Sequence, residues 1–189
     1  MTTWITSDLH HDHKNIVRFC PESRGHFQSV DEMNQAMINN INSKVAETDT
    51  LIILGDISFG TPERACEFLK ALNGSKIIIY GNHDRKLVKS HAYQSQKGLM
   101  GIVSEGHYDF INHKFDGKNC NIALFHFPIE EWEGCHHGSY HLHGHQHSPS
   151  TQVINSRRMD VGMDSNFMMP YKLDDVLARL QPFKFSKHH

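Results

Sequence analysis

Short apolar runs that end in clusters of polar residues dominate the pattern of this chain. Four such runs, rich in β-branched or aromatic residues, occupy positions 4–7, 50–54, 76–80 and 120–125. Runs this short and this apolar predict buried β-strands. Because residues just past the carboxyl ends of neighbouring strands converge at one edge of a sheet, the polar clusters are expected to meet there.

The segments between these strands carry the signals of amphipathic helices. Residues 29–32 form a capping box, and the apolar positions after it recur every four residues on one helical face. These positions are Met33, Met37, Ile41 and Val45. Thr61 and Pro62 are typical of a second helix start, and Gly74 of its end. Alternating strands and helices over residues 3–80 predict a parallel α/β half.

The second half of the chain has a different pattern. The Asp-Gly dipeptide at 116–117, between apolar runs at 108–115 and 118–127, predicts a hairpin with a primed turn. Three further elements are predicted downstream: strands at 139–143 and 158–161, and a helix that carries Leu173, Val176, Leu177 and Leu180. Residues 86–107 and 128–138 are the least regular segments, and we expect them to border the functional site.

Composition narrows the class of protein. A chain of 189 residues, with 38% hydrophobic and 21% charged residues, is predicted to form one globular domain over 1–189, without a cap domain. A net charge of −2 gives no general attraction to nucleic acid. The four cysteines form no CxxC pair, and no leader or long apolar stretch is visible, so a cytoplasmic location is expected. His188 and His189 are either native residues or the remnant of a purification tag, so they are set aside.

Seven polar side chains at or near the predicted strand ends are candidate metal ligands. They are Asp8, His10, Asp56, Asn82, His126, His145 and His147. Carboxylate, amide and imidazole ligands without a thiolate suit two divalent ions such as Mn, Fe, Co, Ni or Zn. Two ions need one bridging carboxylate and three further ligands each. Asp56 is the predicted bridge, because its two oxygens can reach both ions.

Each candidate also has a plainer interpretation. Asp56 follows Gly55 and alone would fit a polar turn after a strand. A lone histidine such as His126 is more often a hydrogen-bonded core residue than a ligand. His145 and His147 lie in a histidine-rich stretch, but their spacing places both imidazoles on one face of an extended segment. The order of all the motifs along the chain favours metal binding.

This order of motifs resembles the calcineurin-like metallophosphoesterase superfamily. The resemblance runs from Asp8 to about Leu180 and rests on five motifs, each after a predicted strand. The motifs are Asp8-Leu9-His10, Gly55-Asp56, Gly81-Asn82-His83-Asp84, His126 and Gly144-His145-Gln146-His147. Within the superfamily the chain is most similar to small phosphoesterases of bacteria and phages, which share the segments at 8–13, 126–128 and 144–147.

The resemblance implies an α/β fold, a four-layer αββα sandwich of two mixed β-sheets flanked by helices, with a dimetal site at the C-terminal ends of strands. In addition to the shared Asp56, it assigns three ligands to each ion. The first ion takes Asp8, His10 and His147, and the second takes Asn82, His126 and His145. The predicted cofactor is two divalent metal ions per chain, with Mn2+ first and Fe, Co, Ni or Zn as alternatives.

The activity implied by the resemblance is dimetal-dependent hydrolysis of phosphodiester or small phosphomonoester bonds. Two cations roughly 3.5–4 Å apart clamp the phosphoryl oxygens and supply a bridging hydroxide that attacks phosphorus directly, so no covalent enzyme intermediate is needed. His83 is the predicted general acid toward the leaving group. Asp84, the second residue assigned to catalysis, orients the loop or tunes a neighbour.

The expected partner is a small phosphate ester, with nucleotides among the candidates. Neither a membrane nor strong nucleic-acid binding is expected, and the oligomeric state stays open. Substrate contacts are predicted at His13 and Arg24. The alternative is that these two residues, with His11, Lys14 and Arg18, form a solvated, positively charged loop and helix. Among the histidines before the last motif, His143 is expected to support the ligands, and His136, His137 and His141 to lie on the surface.

Departures from related enzymes limit the functional prediction. Ser58 and Phe59 stand where protein Ser/Thr phosphatases of the superfamily carry Asp and Arg, so protein phosphatase activity is not expected. The partner that would orient His83 in those enzymes is not identifiable. A non-catalytic metal-binding scaffold or interaction protein stays open, although such proteins usually lose ligands that this chain keeps. A nuclease component also stays open, although no DNA-contact domain or positive charge is visible.

Overall fold

The computed structural model describes residues 1–184, so the two terminal histidines lie outside the described residues. Its first sheet contains β1 (Thr3–Thr6), β2 (Thr50–Ile53), β3 (Ser75–Ile79), β4 (Ile102–Gly106) and β9 (Tyr171–Lys172). Their order across the sheet is β4-β3-β2-β1-β9. The first four strands pair in parallel, whereas β9 pairs with β1 antiparallel, so the sheet is mixed.

The second sheet has four strands in sequence order. They are β5 (Tyr108–Phe115), β6 (Lys118–Phe125), β7 (Tyr140–His143) and β8 (Arg158–Asp160). β5 and β6 form the predicted antiparallel hairpin, and Asp116 and Gly117 have φ angles of 49° and 72°, as a primed turn requires. Because β6, β7 and β8 pair in parallel, the second sheet is also mixed.

The two longest helices begin where the capping signals place them. Ser29 Oγ accepts a hydrogen bond from Glu32 N at 3.1 Å at the start of α3 (Val30–Asn42). Thr61 Oγ1 caps α4 (Pro62–Ala71) in the same way. The other helices are α1 (Ile16–Phe19), α2 (Pro21–Arg24), α5 (Arg85–Val88), α6 (His91–Gln96) and α7 (Leu173–Leu180).

Apolar side chains form two main buried layers that fix the strand ends. The layer between the first sheet and the helices includes Met37 of α3, Leu69 of α4 and Leu51 of β2. The layer between the two sheets includes side chains of β2 and β7, and α7 adds its apolar face to it. Each fully buried aliphatic side chain contributes about 1.5–3 kcal/mol. The strand order of the two sheets and the positions of the helices confirm the predicted fold, two mixed sheets flanked by helices.

The prediction that residues 86–107 are one of the two least regular segments is wrong, because this segment contains most of α5, all of α6 and β4. β4 lies at the edge of its sheet, where consecutive residues such as Val103 and Ser104 are exposed and give no alternating pattern. The pattern does not predict β9 either, since two residues are too few to show a period. Over residues 1–184, no helix is long and apolar enough to cross a membrane.

Candidate metal centre

The seven predicted ligands lie together where the strands of the two sheets end. Asp56 Oδ2 is 3.6 Å from His10 Nε2 and 3.5 Å from His126 Nε2. Ligand atoms of two groups, Asp8-His10-His147 and Asp56-His126-His145, lie within 4.8 Å of one another inside each group. Asn82 Oδ1 joins the second group at 3.0 Å from His126 Nε2. The fold thus places Asp56 between two sets of candidate ligands.

The hydrogen bonds of His126 decide which ring nitrogen faces this cluster. Nδ1 lies 2.7 Å from the Leu54 carbonyl oxygen, so Nδ1 carries the proton and donates it. Nε2 is then an acceptor, yet it faces Asn82 Oδ1 at 3.0 Å and Asp56 Oδ2 at 3.5 Å. Three acceptors that converge in this way fit a cation, because a cation satisfies all of them at once.

The other group contains acceptors without partners. Asp8 Oδ1 and His10 Nε2 are buried, and neither has a hydrogen-bond partner within residues 1–184. His10 Nδ1 contacts His13 Nδ1 at 2.9 Å, and His147 Nδ1 contacts Asp164 Oδ2 at 2.7 Å, so both rings direct Nε2 toward Asp8. A buried polar atom left unpaired costs about 1–3 kcal/mol. A cation bound here would remove that cost, so the residues fit the metal site that the resemblance implies.

Burial shifts the charge states of these ligands. It raises the pKa of Asp8 to about 8 and lowers the pKa of His10 to about 2. Burial also acts to lower the pKa of His147, but hydrogen bonds to Asp164 and Cys20 and the charge of Asp8 outweigh it and raise that pKa to about 10. A cation competes for the same atoms as these protons, so metal binding is expected to release protons.

Five of the seven candidate ligands adopt a left-handed backbone conformation. Their φ angles are 55° at Asp8, 51° at His10, 53° at Asp56, 71° at His145 and 47° at His147. The conformation costs about 1–2 kcal/mol for a residue with a side chain, and such strain clusters at functional sites. The backbone therefore supports the assignment of the site independently of the side-chain chemistry.

Two glycines allow the ligand loops to approach one another closely. A Cβ atom on Gly55 would lie 2.3 Å from Gly81 N, and Gly55 itself has a φ of 90°. A Cβ atom on Gly144 would lie 1.9 Å from Ser7 Oγ and 2.3 Å from Asp8 Oδ2. A side chain at either position would push ligands apart, which explains why glycine stands in these motifs.

Asp84 connects the backbones of two loops that carry candidate ligands. Its carboxylate accepts hydrogen bonds from the backbone N–H groups of Asp56 at 2.9 Å, Ile57 at 2.8 Å and Gly81 at 2.7 Å. Burial raises the pKa of Asp84. The prediction that Asp84 is catalytic is wrong, because its fully buried side chain is occupied by backbone groups. Its place agrees with the loop-orienting role, so Asp84 is a positioning residue.

Asp164 is a residue of the site that the sequence analysis missed. It holds His147 Nδ1, as carboxylates often do behind metal-binding imidazoles. Burial acts to raise the pKa of Asp164, but hydrogen bonds from His147 and Arg24 outweigh it and hold that pKa well below its usual range. Asp164 follows the end of β8 by four residues. The strand-end rule that located the other carboxylates could therefore have located it. Cys20, His147 and Asp164 form a further group of converging ligand atoms.

The prediction that Arg24 contacts substrate is wrong, because its side chain is 0% exposed. Nε and Nη2 donate to the Asp164 carboxylate at 2.8 and 3.0 Å. Nη1 and Nη2 donate to the carbonyl oxygens of Leu9 at 2.9 Å and Asp8 at 2.7 Å. Arg24 therefore fixes the backbone of one candidate ligand, Asp8, and orients the carboxylate that holds another, His147.

Arg24→Lys should lower the free energy of unfolding by about 1–3 kcal/mol, since lysine cannot reproduce the planar set of donors. Urea unfolding in excess chelator measures this without a contribution from bound metal. Arg18→Lys is the matched control, because Arg18 is exposed in the neighbouring helix and should leave stability unchanged. A raised KM with unaltered stability in Arg24→Lys would restore the substrate-contact interpretation.

Phe59 and His13 cover the first group of ligands. Their rings stack with centroids 4.0 Å apart, and Phe59 also stacks on His10 at 4.9 Å. His13 Nδ1 is engaged by His10, and whether His13 also meets substrate stays a prediction. The prediction of a solvated loop is wrong for His11, since its ring is buried and stacks on the Phe68 ring with centroids 4.3 Å apart.

Two of the four histidines before the last motif are internal. The prediction that His141 lies on the surface is wrong, because it is 0% exposed and its ring nitrogens lie 3.2 Å from the carbonyl oxygens of Ala123 and Phe127. It therefore braces the segment that carries His126. His143 is also buried, and its Nδ1 lies 3.0 Å from the Gly144 carbonyl oxygen, directly before the ligand pair. Only His136 and His137 of this group are exposed, as expected.

His83 lies at the rim of the centre and outside the two ligand groups. Its side chain is 48% exposed, and Nε2 is 4.0 Å from Asp56 Oδ2. The backbone N–H of His83 donates to Asp56 Oδ1 at 3.0 Å, which fixes the residue without using its imidazole. The ring is therefore free to act on a molecule that approaches from solvent.

Two clefts open beside this rim and share Asn82 and Arg85. One has a volume of about 520 Å³ and includes Phe59, His83 and Lys86 in its walls, and the other, of about 370 Å³, includes Lys89, Phe125 and Phe127. Among the described residues, neither cleft has an acidic side chain in its walls. The cations around Asn82 therefore favour an anionic ligand.

The fold and the centre define a metal-binding hydrolase of the metallophosphoesterase class, whose members bind two metal ions. The calcineurin-like phosphoesterase family matches residues 1–149, and the chain belongs to this family. An uncharacterised protein of Methanocaldococcus jannaschii is 38% identical over 149 residues, which cover 66% of this chain and 83% of that protein. The Gene 66 protein of Mycobacterium phage L5 is 29% identical over 183 residues, which cover 86% of each chain.

A solved structure shares the fold. The protein of unknown function AQ665 from Aquifex aeolicus superposes with a TM-score of 0.67 over 95% of this chain and 99% of its own, at 22% identity. At that identity the likeness concerns the fold alone.

Proposed function

We propose that this protein is a dimetal-dependent phosphoesterase that hydrolyses phosphodiester or small phosphomonoester bonds. The observation that carries the proposal is the set of acceptors around Asp56, in which His10 Nε2 and His126 Nε2 lie 3.6 and 3.5 Å from the same carboxylate oxygen. Imidazole-rich sites favour transition ions over Mg2+, so Mn2+ is the first candidate, before Fe, Co, Ni or Zn.

The chain's own residues hold and orient the centre. One ion would be held by Asp8, His10 and His147, and the other by Asn82, His126 and His145. Asp56 would bind both ions. When bound, two divalent ions neutralise the phosphoryl oxygens and lower the pKa of water, so that a nucleophile is available near neutral pH. The Leu54 carbonyl and Asp164 turn Nε2 of His126 and His147 toward the centre.

His83 supplies the proton that the leaving-group oxygen needs when the ester bond breaks. Its imidazole is half-exposed at the rim, while its backbone is tied to Asp56. A positioned general acid accelerates such a step by roughly 10²–10⁴-fold. Arg85, Lys86 and Lys89 line the clefts beside it, and their charges favour a substrate with negative phosphate groups.

Removal of metal should abolish the activity. We expect protein stripped by a chelator to lose hydrolysis of bis(p-nitrophenyl) phosphate and p-nitrophenyl phosphate. Mn2+ should restore it better than Mg2+, because imidazole is a poor ligand for Mg2+. Elemental analysis of the restored protein should give two ions per chain. Activity that survives exhaustive chelation would contradict the proposal.

A non-catalytic metal-binding scaffold is the alternative function. Retention of an exposed His83 beside a complete ligand set favours the enzyme, because a scaffold has no use for a proton donor at its rim. The same experiment separates the two, since a scaffold would bind both ions and hydrolyse none of the esters. Single-stranded DNA included among the substrates tests the nuclease alternative.

A further inference from the structure

A cleft on the far side of His147 has no role in the function proposed so far. It has a volume of about 400 Å³, and His147 and Asp164 lie in its wall. Two phenylalanines, Phe19 and Phe167, also line it. Their side chains are 69% and 76% exposed. We call this cleft, with its two phenylalanines, the aromatic cleft.

The backbone holds Phe167 outward at a cost. Phe167 and Met168 have φ angles of 52° and 61°, a conformation that bulky residues rarely adopt. Met168 is buried, its N–H donates to the Met163 carbonyl at 2.9 Å, and its carbonyl accepts from Asn40 Nδ2 at 3.1 Å. The turn is thus anchored on one side while Phe167 points to solvent. Strain of about 1–3 kcal/mol kept at an exposed aromatic residue indicates a ligand contact.

Both walls of the aromatic cleft are tied to the metal centre through Asp164. Ser23 Oγ and Arg24 Nε, which follow Phe19 in the chain, donate to Asp164 Oδ1. Asp164 Oδ2 holds His147, and Phe167 follows Asp164 by three residues. One buried carboxylate therefore links the two segments that carry the phenylalanines to the candidate ligand His147.

The chemistry of the aromatic cleft selects a planar ring with polar edges. Two phenylalanine faces offer stacking surfaces to such a ring. Glu22, Gln146 and Ser150 also line the cleft and offer hydrogen-bond donors and acceptors. The edge of a nucleobase can form hydrogen bonds with these side chains, whereas an aliphatic chain cannot.

We propose that the aromatic cleft binds the nucleobase of a nucleoside phosphodiester, with its phosphate at the metal centre beside His147. This inference rests on the proposed function and narrows its substrate to nucleotide esters. The base then belongs to the product that keeps the phosphate, and not to the leaving group. The leaving group then points to the opposite side, toward His83 and the two clefts that share Arg85.

Two esters with the same leaving group test the proposal. Wild-type protein loaded with Mn2+ should hydrolyse p-nitrophenyl thymidine 5′-phosphate with a kcat/KM at least about 10-fold above that for methyl p-nitrophenyl phosphate. Phe19→Ala and Phe167→Ala should each lower the value for the thymidine ester about 10-fold through KM and leave the methyl ester unchanged. Phe167→Tyr keeps the ring and should restore binding.

Leu99→Ala is the matched control, because Leu99 is 73% exposed and is not part of the aromatic cleft. Equal effects on the two esters, or no effect on either, would overturn the proposal. The thermal midpoint of each variant shows whether it folds, and little change is expected at such exposed positions.

A binding measurement separates this proposal from the proposed function. Calorimetry should show that thymidine 5′-monophosphate binds more tightly than deoxyribose 5-phosphate, and that Phe167→Ala removes the difference. If no ester is hydrolysed but this difference is found, the proposed function fails and the nucleobase site stands. If esters are hydrolysed and the two phosphates bind alike, the nucleobase site fails and the proposed function stands.

Discussion

Asp56→Ala is expected to lower kcat by at least about 10³-fold, and excess metal should not restore it. Its Oδ2 is the carboxylate oxygen that lies within 3.6 Å of His10 Nε2 and within 3.5 Å of His126 Nε2. The substitution therefore removes a ligand from both proposed ions at once. It also removes the acceptor of the His83 N–H, so the rim loosens together with the centre.

Steady-state kinetics and elemental analysis on the same samples measure this effect. Asp116→Ala is a suitable control, because Asp116 shares the left-handed backbone, with a φ of 49°, but is exposed in the hairpin turn and lies outside both ligand groups. Asp116→Ala should keep both ions and most of the activity. Full metal content with near-normal kcat in Asp56→Ala would show that Asp56 does not bridge the ions.

His83→Ala should keep both metals and lose roughly 10²–10⁴-fold in turnover on esters with poor leaving groups. The backbone N–H of residue 83 makes the bond to Asp56 Oδ1, so it survives the substitution. Only the half-exposed imidazole is lost. The loss should shrink for nitrophenyl esters, because a nitrophenolate needs little protonation as it leaves.

His126→Ala gives the opposite pattern and serves as the comparison. His126 is fully buried and directs Nε2 at Asp56, so its removal should weaken one metal site and depress good and poor substrates alike. If His83→Ala lost an ion, or reduced both substrate types equally, its assignment as a proton donor would be wrong.

The parts of the site that the sequence predicts are those set by strand geometry. Asp8 and His126 each come directly after an apolar run, and Asp56 follows its run after one glycine. Parallel strands bring the residues at their carboxyl ends to one edge of a sheet. That rule needs only local pattern, so the sheets, the hairpin and the cluster of ligands could be anticipated. The fit of His145 beside His126 is then a result of the pairing of β6 with β7.

The parts that sequence reasoning misplaced depend on contacts between distant segments. The residues around Arg24 have the composition of a surface helix. Arg24 can form a buried ion pair only because Asp164, 140 positions later in the chain, lies beside it. Asp84 is next to a proposed proton donor in the chain, but its carboxylate turns inward to three backbone N–H groups. The direction in which such a side chain points leaves no periodic pattern in the sequence. The same holds for β9, which exists only because β1 offers it a free edge.

The left-handed backbone of the ligands also bears on how this protein can be engineered. His145 is exposed at a φ of 71°, so glycine there would relieve conformational strain of about 1–2 kcal/mol and sacrifice little packing. Selection for heat resistance of the metal-free protein alone would therefore favour mutations that remove ligands of the centre. Directed evolution of a thermostable form needs a simultaneous demand for turnover, because at these positions robustness and activity favour different residues.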